Sequence, residues 1–252
     1  MQISVAPSCP SRVSGLKVSV CGVDVDIQAT DMASDHRHQV LYIADYKKEL
    51  VHRVHVTNAS DQAEWPVGQK PSGLSVTTDS CNLLVSCGDS RRLVEFSPQG
   101  CVLRDICIRD VVALYHAVTL MSGQIVASVS CGRPESPFHR VCYVDADGKT
   151  GRGHSANIPG FTMVGPGHLA AVVGDESSGH LLVGDCVGAR VVLLSTALTS
   201  VRVLATRTHG LRRVWRISVD SLSRRLYVAD NGPGDGASQS RARSGRVMVF
   251  SF

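Results

Sequence analysis

One pattern recurs five times along the chain: an apolar strand, a short polar turn, then a second strand that opens on arginine or just ahead of one. The copies are Leu41 to Asp45 with Val51 to Val56, Leu83 to Cys87 with Arg92 to Phe96, and Gln124 to Ser128 with Arg140 to Val144. Leu181 to Asp185 with Arg190 to Leu194, and Leu226 to Asp230 with Arg246 to Phe250, complete the set. The spacing of about 40 to 55 residues matches a four-stranded propeller blade. An inner strand precedes four of the pairs, at Gly73 to Val76, His116 to Thr119, His168 to Val172 and Arg216 to Val219. An outer strand follows two, at Val102 to Ile106 and Val201 to Leu204. The strands of each blade are named a to d from the centre outward. Alternation is strongest in c, whereas a and b read as continuously apolar, the contrast expected between outer and buried strands. The pattern predicts an all-β propeller of four-stranded antiparallel blades, with five recognisable repeats and five or six blades in all.

A frame of Leu-Tyr-Val-Ala-Asp, a polar turn and Arg-Val-x-Val-Phe resembles the NHL repeat, and Leu226 to Asp230 with Arg246 to Phe250 matches it best. Pro71 to Val76 ahead of Leu83, and Tyr115 to Val118 ahead of Ser122 to Gln124, look like the tripartite-motif (TRIM)-NHL branch. The resemblance covers residues 35–252. It implies a binding or scaffold module, the substrate-recognition part of a TRIM-like ubiquitin-ligase system. No RING finger, B-box or coiled-coil heptad accompanies it to carry the ligase role in this chain alone. The domain reading is a 1–30 N-terminal segment followed by a 31–252 propeller. The last repeat stops directly after its strand c. Either Leu16 to Val20 supplies the ring-closing strand, or the ring is short of one, with exposed strand edges.

The nine cysteines are odd in number. None form a C-x-x-C pair, so no clustered zinc ligation is legible. Several lie inside apolar strands, as Cys142 does between Val141 and Tyr143. They read as buried reduced thiols, which implies a reducing, cytoplasmic compartment. Residues Met1 to Ser11 lack the basic and apolar regions of a secretory signal, and no apolar run approaches a membrane span.

Up-and-down blades place the b–c turns and d–a connections at one end of the propeller. Sorting charges this way gives a basic end, with Lys47, Lys48, Arg91, Arg92, Arg207, Arg212, Arg213, Arg241 and Arg243, and an acidic opposite end. The net charge of +4 conceals this polarity. Tyr46, Tyr115 and Trp215 lie near the basic end. Cations beside aromatic faces suit single-stranded RNA, and the same surface suits an acidic protein segment. The expected function is therefore non-catalytic recognition of a protein partner, single-stranded RNA or both, with no membrane association and no small-molecule cofactor.

The rival reading is a metal-dependent propeller hydrolase or lyase. His116 and His168 occupy the same repeat position at the start of strand a, where they could face each other across the channel. A catalytic zinc needs about three ligands, and the repeats supply only these two. The bland alternative is that each ring hydrogen-bonds to backbone. Asp45, Asp185 and Asp230 share the end of strand b, where a carboxylate accepts the amides of the next turn. Gly-x-Ser-x-Gly and the P-loop lysine motif are absent, and Asp145 with Asp147 lacks the remaining calcium-loop ligands. No catalytic constellation follows from the sequence, and the expectation is that the chain is not an enzyme.

Overall fold

The computed structural model describes residues 16–20, 23–27, 29–58, 60–77, 79–133, 136–150, 162–163, 165, 167–172, 180–199, 201–220, 223–231 and 245–251. A hairpin of β1 (Leu16–Val20) and β2 (Val23–Ile27) comes first. Blade 1 is β3 (Ala29–Asp35), β4 (Val40–Asp45), β5 (Leu50–His55) and β6 (Gln62–Pro66). Blade 2 is β7 (Gly73–Val76), β8 (Leu83–Cys87), β9 (Arg92–Phe96) and β10 (Val102–Cys107). Blade 3 is β11 (Ala113–Thr119), β12 (Ile125–Arg133) and β13 (Ser136–Val144). Blade 4 is β14 (Gly167–Val172), β15 (His180–Asp185), β16 (Arg190–Ser195) and β17 (Val201–Ala205). Blade 5 is β18 (Val214–Asp220), β19 (Arg225–Asp230) and β20 (Arg246–Ser251). The fold is a five-bladed β-propeller, each blade an antiparallel sheet of three or four strands among the described residues.

Burial explains the sequence pattern. The second strand of each blade packs against neighbours on both faces: every residue of β8 is buried, and five of six in β15. Such strands must be apolar throughout. Outer strands face water on most of their length, as in β6 and β10, where one residue each is buried. Four apolar cores lie between successive blades. Tyr42, Trp65 and Phe96 anchor the first, with ring centroids 6.1 Å apart in both the Tyr42–Trp65 and the Trp65–Phe96 pair. Leu93 and Leu114 join blades 2 and 3, Val126 and Leu181 join blades 3 and 4, and Leu182 and Leu226 join blades 4 and 5. Among the described residues no comparable apolar cluster joins blade 5 to blade 1.

Two expectations about the N-terminus are corrected. Leu16–Val20 pairs with Val23–Ile27 in its own two-stranded sheet and not with the last blade. The first blade also begins at Ala29 rather than at residue 31, because β3 is an inner strand that the repeat count had missed. Five of the seven described thiols are buried, as expected, and two are not. Cys81, Cys87, Cys131, Cys142 and Cys186 are buried and free, while Cys101 and Cys107 are free and exposed. Burial pushes the Cys87 and Cys142 thiols up to about 12. No helix among the described residues is long and apolar enough to cross a membrane.

Candidate functional site: a belt of polar side chains around the channel

Each blade offers one equivalent position to the channel. Asp31, Gly73, His116, His168 and Arg216 pair with Ala44, Ser86, Ser128, Gly184 and Ala229 of the adjacent strand. In blades 1, 3 and 5 a register shift lies immediately before the channel residue. A bulge of this kind re-aims a side chain.

These residues are stitched into a circle. Asp31 Oδ2 accepts the Leu74 amide at 2.9 Å. His116 Nε2 lies 3.0 Å from the Leu74 carbonyl oxygen, and its Nδ1 accepts the Leu169 amide at 3.4 Å. His168 Nδ1 accepts the Ile217 amide at 3.4 Å. Arg216 Nε then donates to Asp31 Oδ1 at 2.9 Å. Every bond runs between neighbouring inner strands, so the belt passes through all five blades. An acceptor at His116 Nδ1 places the proton on Nε2, where it meets the Leu74 carbonyl. The backbone bonding considered for the histidines is thus present, and it links blades rather than capping strands. Gly73 leaves the room this requires: a Cβ there would lie 2.7 Å from His116 Cδ2.

Three groups converge inside the belt. Asp31 Oδ2 lies 3.5 Å from Nε2 of His116 and 3.5 Å from Nε2 of His168. The two imidazoles stack with centroids 3.9 Å apart. Both are buried or nearly so, and among the described residues His168 Nε2 has no hydrogen-bond partner beyond this long contact with Asp31. Burial alone would raise the Asp31 pKa, but Arg216, His168 and the hydrogen bonds of both histidines outweigh it. The carboxyl is held well below its usual range. Burial, together with the neighbouring His116, lowers His168 from 6.5 to about 3, so its imidazole is neutral at physiological pH. Arg216 is tied further by donating from Nη2 to the carbonyls of Thr30 at 2.7 Å and Ser72 at 3.0 Å.

Above the belt is a cavity of about 400 Å³ lined by Tyr46, Tyr115, His116, His168, Arg213, Trp215 and Arg216. Four residues expected on the basic face, Tyr46, Tyr115, Arg213 and Trp215, therefore share one pocket with the channel. Trp215 is 43% exposed, with the Arg216 guanidinium 5.0 Å from its ring. The other expected contacts are dispersed. Arg92 is paired with Asp105, Arg207 donates to the Val187 carbonyl, and Arg91 reaches the Val111 carbonyl at 3.5 Å. Lys47 and Lys48 sit in the β4–β5 turn, their amides donating to Asp45 Oδ1. The Arg212 and Arg213 amides donate to Asp230 and fix the β17–β18 connection. Arg241 and Arg243 lie outside the described residues. The turn role of Asp45 and Asp185 holds, since each accepts amides of the turn that follows it, whereas Asp230 accepts those of Arg212 and Arg213 in the connection before β18.

Asp31 is the residue that sequence reasoning missed. Thirteen residues separate Asp31 from Ala44, as they separate Gly73 from Ser86 and Arg216 from Ala229. Counting back from Leu41 to Asp45 by the spacing of the later copies would have found it. The stretch is too polar to announce a strand.

No protein-family model matches the chain, and no curated protein matches it. Solved structures do. Hydrazine synthase of Kuenenia stuttgartiensis aligns at TM-score 0.60 and 17% identity over 83% of this chain and 63% of that one. A protein of unknown function from Bacteroides caccae aligns at TM-score 0.59 and 12% identity, covering 83% of this chain and 74% of that one. Regucalcin, a calcium-binding protein from Agrobacterium tumefaciens, aligns at 0.56 and 14%, covering 82% and 68%. The chain spans less than two thirds of the hydrazine synthase chain. At these identities the likeness establishes the propeller fold. It does not extend to the TRIM-NHL branch.

The expectations of a non-catalytic scaffold and of a chain that is not an enzyme are corrected. The fold is shared with an enzyme, hydrazine synthase, and with a metal-binding protein, regucalcin. The argument against a channel metal also falls, because it rested on a count of two ligands. The structure brings Asp31 to His116 and His168, with one ligand atom of each within 4.8 Å of the others.

Proposed function

We propose that the chain is a propeller enzyme of the hydrolase or lyase class, with a divalent cation held by Asp31, His116 and His168. The observation that carries this is the convergence of both Nε2 atoms on Asp31 Oδ2 at 3.5 Å, with His168 Nε2 otherwise unpartnered. The donor set of one carboxylate and two neutral imidazoles suits zinc and similar ions. A His168 that stays neutral to about pH 3 is a poor general base at pH 7 and a ready ligand. Ligation through Nε2 moves each ring proton to Nδ1. The cost is two long amide contacts of 3.4 Å and the His116 bond to Leu74.

A cation there would polarise a substrate carbonyl or activate a water. The chain's own residues supply the rest. Arg216 neutralises Asp31 and fixes its orientation through Oδ1, leaving Oδ2 toward the histidines. Arg213 places a second cation on the cavity wall, and Tyr46, Tyr115 and Trp215 give it apolar and aromatic faces. A volume of about 400 Å³ suits a small molecule. The substrate class this supports is a small ester or lactone carrying a carboxylate and an apolar or aromatic body.

The test is metal analysis of the purified protein beside hydrolysis of a panel of carboxylated aryl esters and lactones. The expected result is bound metal and hydrolysis, with one equivalent of the metal and all of the hydrolysis lost in His168→Ala. A wild-type protein that takes up no zinc, cobalt, manganese or calcium and hydrolyses nothing in the panel would overturn the reading.

A further inference from the structure

The opposite end of the same inner strand carries a second set of metal-ligating side chains. Asp35 ends β3, four residues beyond Asp31, which is about 13 Å along an extended strand. His38 lies in the β3–β4 turn and Cys81 in the β7–β8 turn of the next blade. Ligand atoms of Asp35, His38 and Cys81 lie within 4.8 Å of one another. His38 Nδ1 is 2.5 Å from Asp35 Oδ2, and Asp35 Oδ1 is occupied by the amides of Arg37 and His38. That division leaves Oδ2 as the carboxylate atom facing both other ligands.

Burial pushes the Cys81 thiol up, and the Asp35 carboxylate adds to this, so the thiol holds its proton and is no nucleophile as it stands. The Tyr42 hydroxyl is fully buried beside Arg53, and it is close enough to Asp35 and Cys81 for both to raise its pKa after burial. Arg37 is the nearby cation. It is exposed and donates to the Asp79 carbonyl at 3.2 Å, so the two turns already lie side by side, and it also reaches the Cys81 thiol, where its charge favours the thiolate.

We infer that Asp35, His38 and Cys81 form a zinc site that clips the β3–β4 turn of blade 1 to the β7–β8 turn of blade 2. Oxygen, nitrogen and sulfur donors together select zinc over calcium or magnesium, which take oxygen ligands. The cation displaces the thiol proton to solvent and binds the thiolate, so uptake releases one proton. Three protein ligands leave a fourth position, and the half-exposed His38 puts it within reach of water.

Cobalt titration of the metal-free protein tests this, because a thiolate ligand gives cobalt(II) a near-ultraviolet charge-transfer band that a site of one aspartate and two histidines cannot give. The band should be complete by two equivalents in the wild type and by one in His168→Ala, and should disappear on adding zinc. It should be lost in Cys81→Ser, and cobalt affinity should fall at least tenfold in His38→Ala, where the half-exposed side chain leaves folding intact. No band in the folded wild type, or a band that persists in Cys81→Ser, would overturn the site. Neither outcome bears on the channel cluster, whose ligands include no thiol.

Discussion

Arg216 and Asp31, 185 residues apart, close the ring: the Arg216 Nε donates to Asp31 Oδ1 at 2.9 Å across the seam between the last blade and the first. Each of the other four junctions has a buried apolar cluster, and among the described residues this one does not. The seam is therefore fastened by a charged pair whose acidic member is buried.

Removing one partner of such a pair strands the other charge. Arg216→Ala is expected to lower stability by about 3–5 kcal/mol. Arg92→Ala removes a pair with Asp105 in which both side chains are a third or more exposed, and should cost about 1 kcal/mol or less. Urea unfolding of the two variants measures the contrast, and equal losses would refute a fastening role for Arg216.

The channel gives the metal-free protein a pH dependence of defined sign. His168 titrates near 6.5 unfolded and about 3 folded, so between these values the unfolded chain binds more protons. Stability is full above about pH 6.5 and falls as pH drops. The loss by pH 5 is about 2 kcal/mol from this group. Asp31, whose folded pKa is depressed, contributes stability that fades only below about pH 4, outside this window. Unfolding free energies from urea titrations at pH 7.5 and pH 5.0, in chelator, should separate by about 2 kcal/mol less in His168→Asn than in wild type.

Gly73 is the position in the belt that bears no side chain. A Cβ would meet His116 Cδ2 at 2.7 Å and the Tyr115 carbonyl oxygen at 2.9 Å. Gly73→Ala should cost about 1–3 kcal/mol through overpacking. It should also displace His116 and so weaken metal uptake by the channel, which calorimetric titration with zinc would register.

Trp65 reaches from an outer strand into the core between blades 1 and 2, touching Tyr42 and Phe96. Gly100 packs on its ring so closely that a Cβ there would stand 2.7 Å from it. Trp65→Ala should cost about 3–5 kcal/mol, measured by thermal or urea unfolding. A loss under 1 kcal/mol would show that the cavity closes around the missing ring.

The repeat frame determined the architecture because period and burial are local: a strand packed on both faces must be apolar, and a turn must carry its polar residues, wherever it sits. Five pairs of such strands marked five repeats and left five or six blades open, and the equivalence of His116 and His168 followed from the same counting. Asp45 and Asp185 were legible as turn carboxylates for the same reason, since their amide partners lie two or three residues away, whereas Asp230 takes amides 17 and 18 residues back in the chain. Which residues meet at the centre was settled only by closing the ring. Asp31 lies in a strand too polar to be recognised, and its nearest side-chain partners are 85, 137 and 185 residues distant. Cys81 looked like one more buried thiol until adjacent blades brought its turn beside Asp35 and His38. Charge sorted by turn type gathered Tyr46, Tyr115, Arg213 and Trp215 at one end, but only the tertiary structure turned them inward, as the wall of a cavity above the channel.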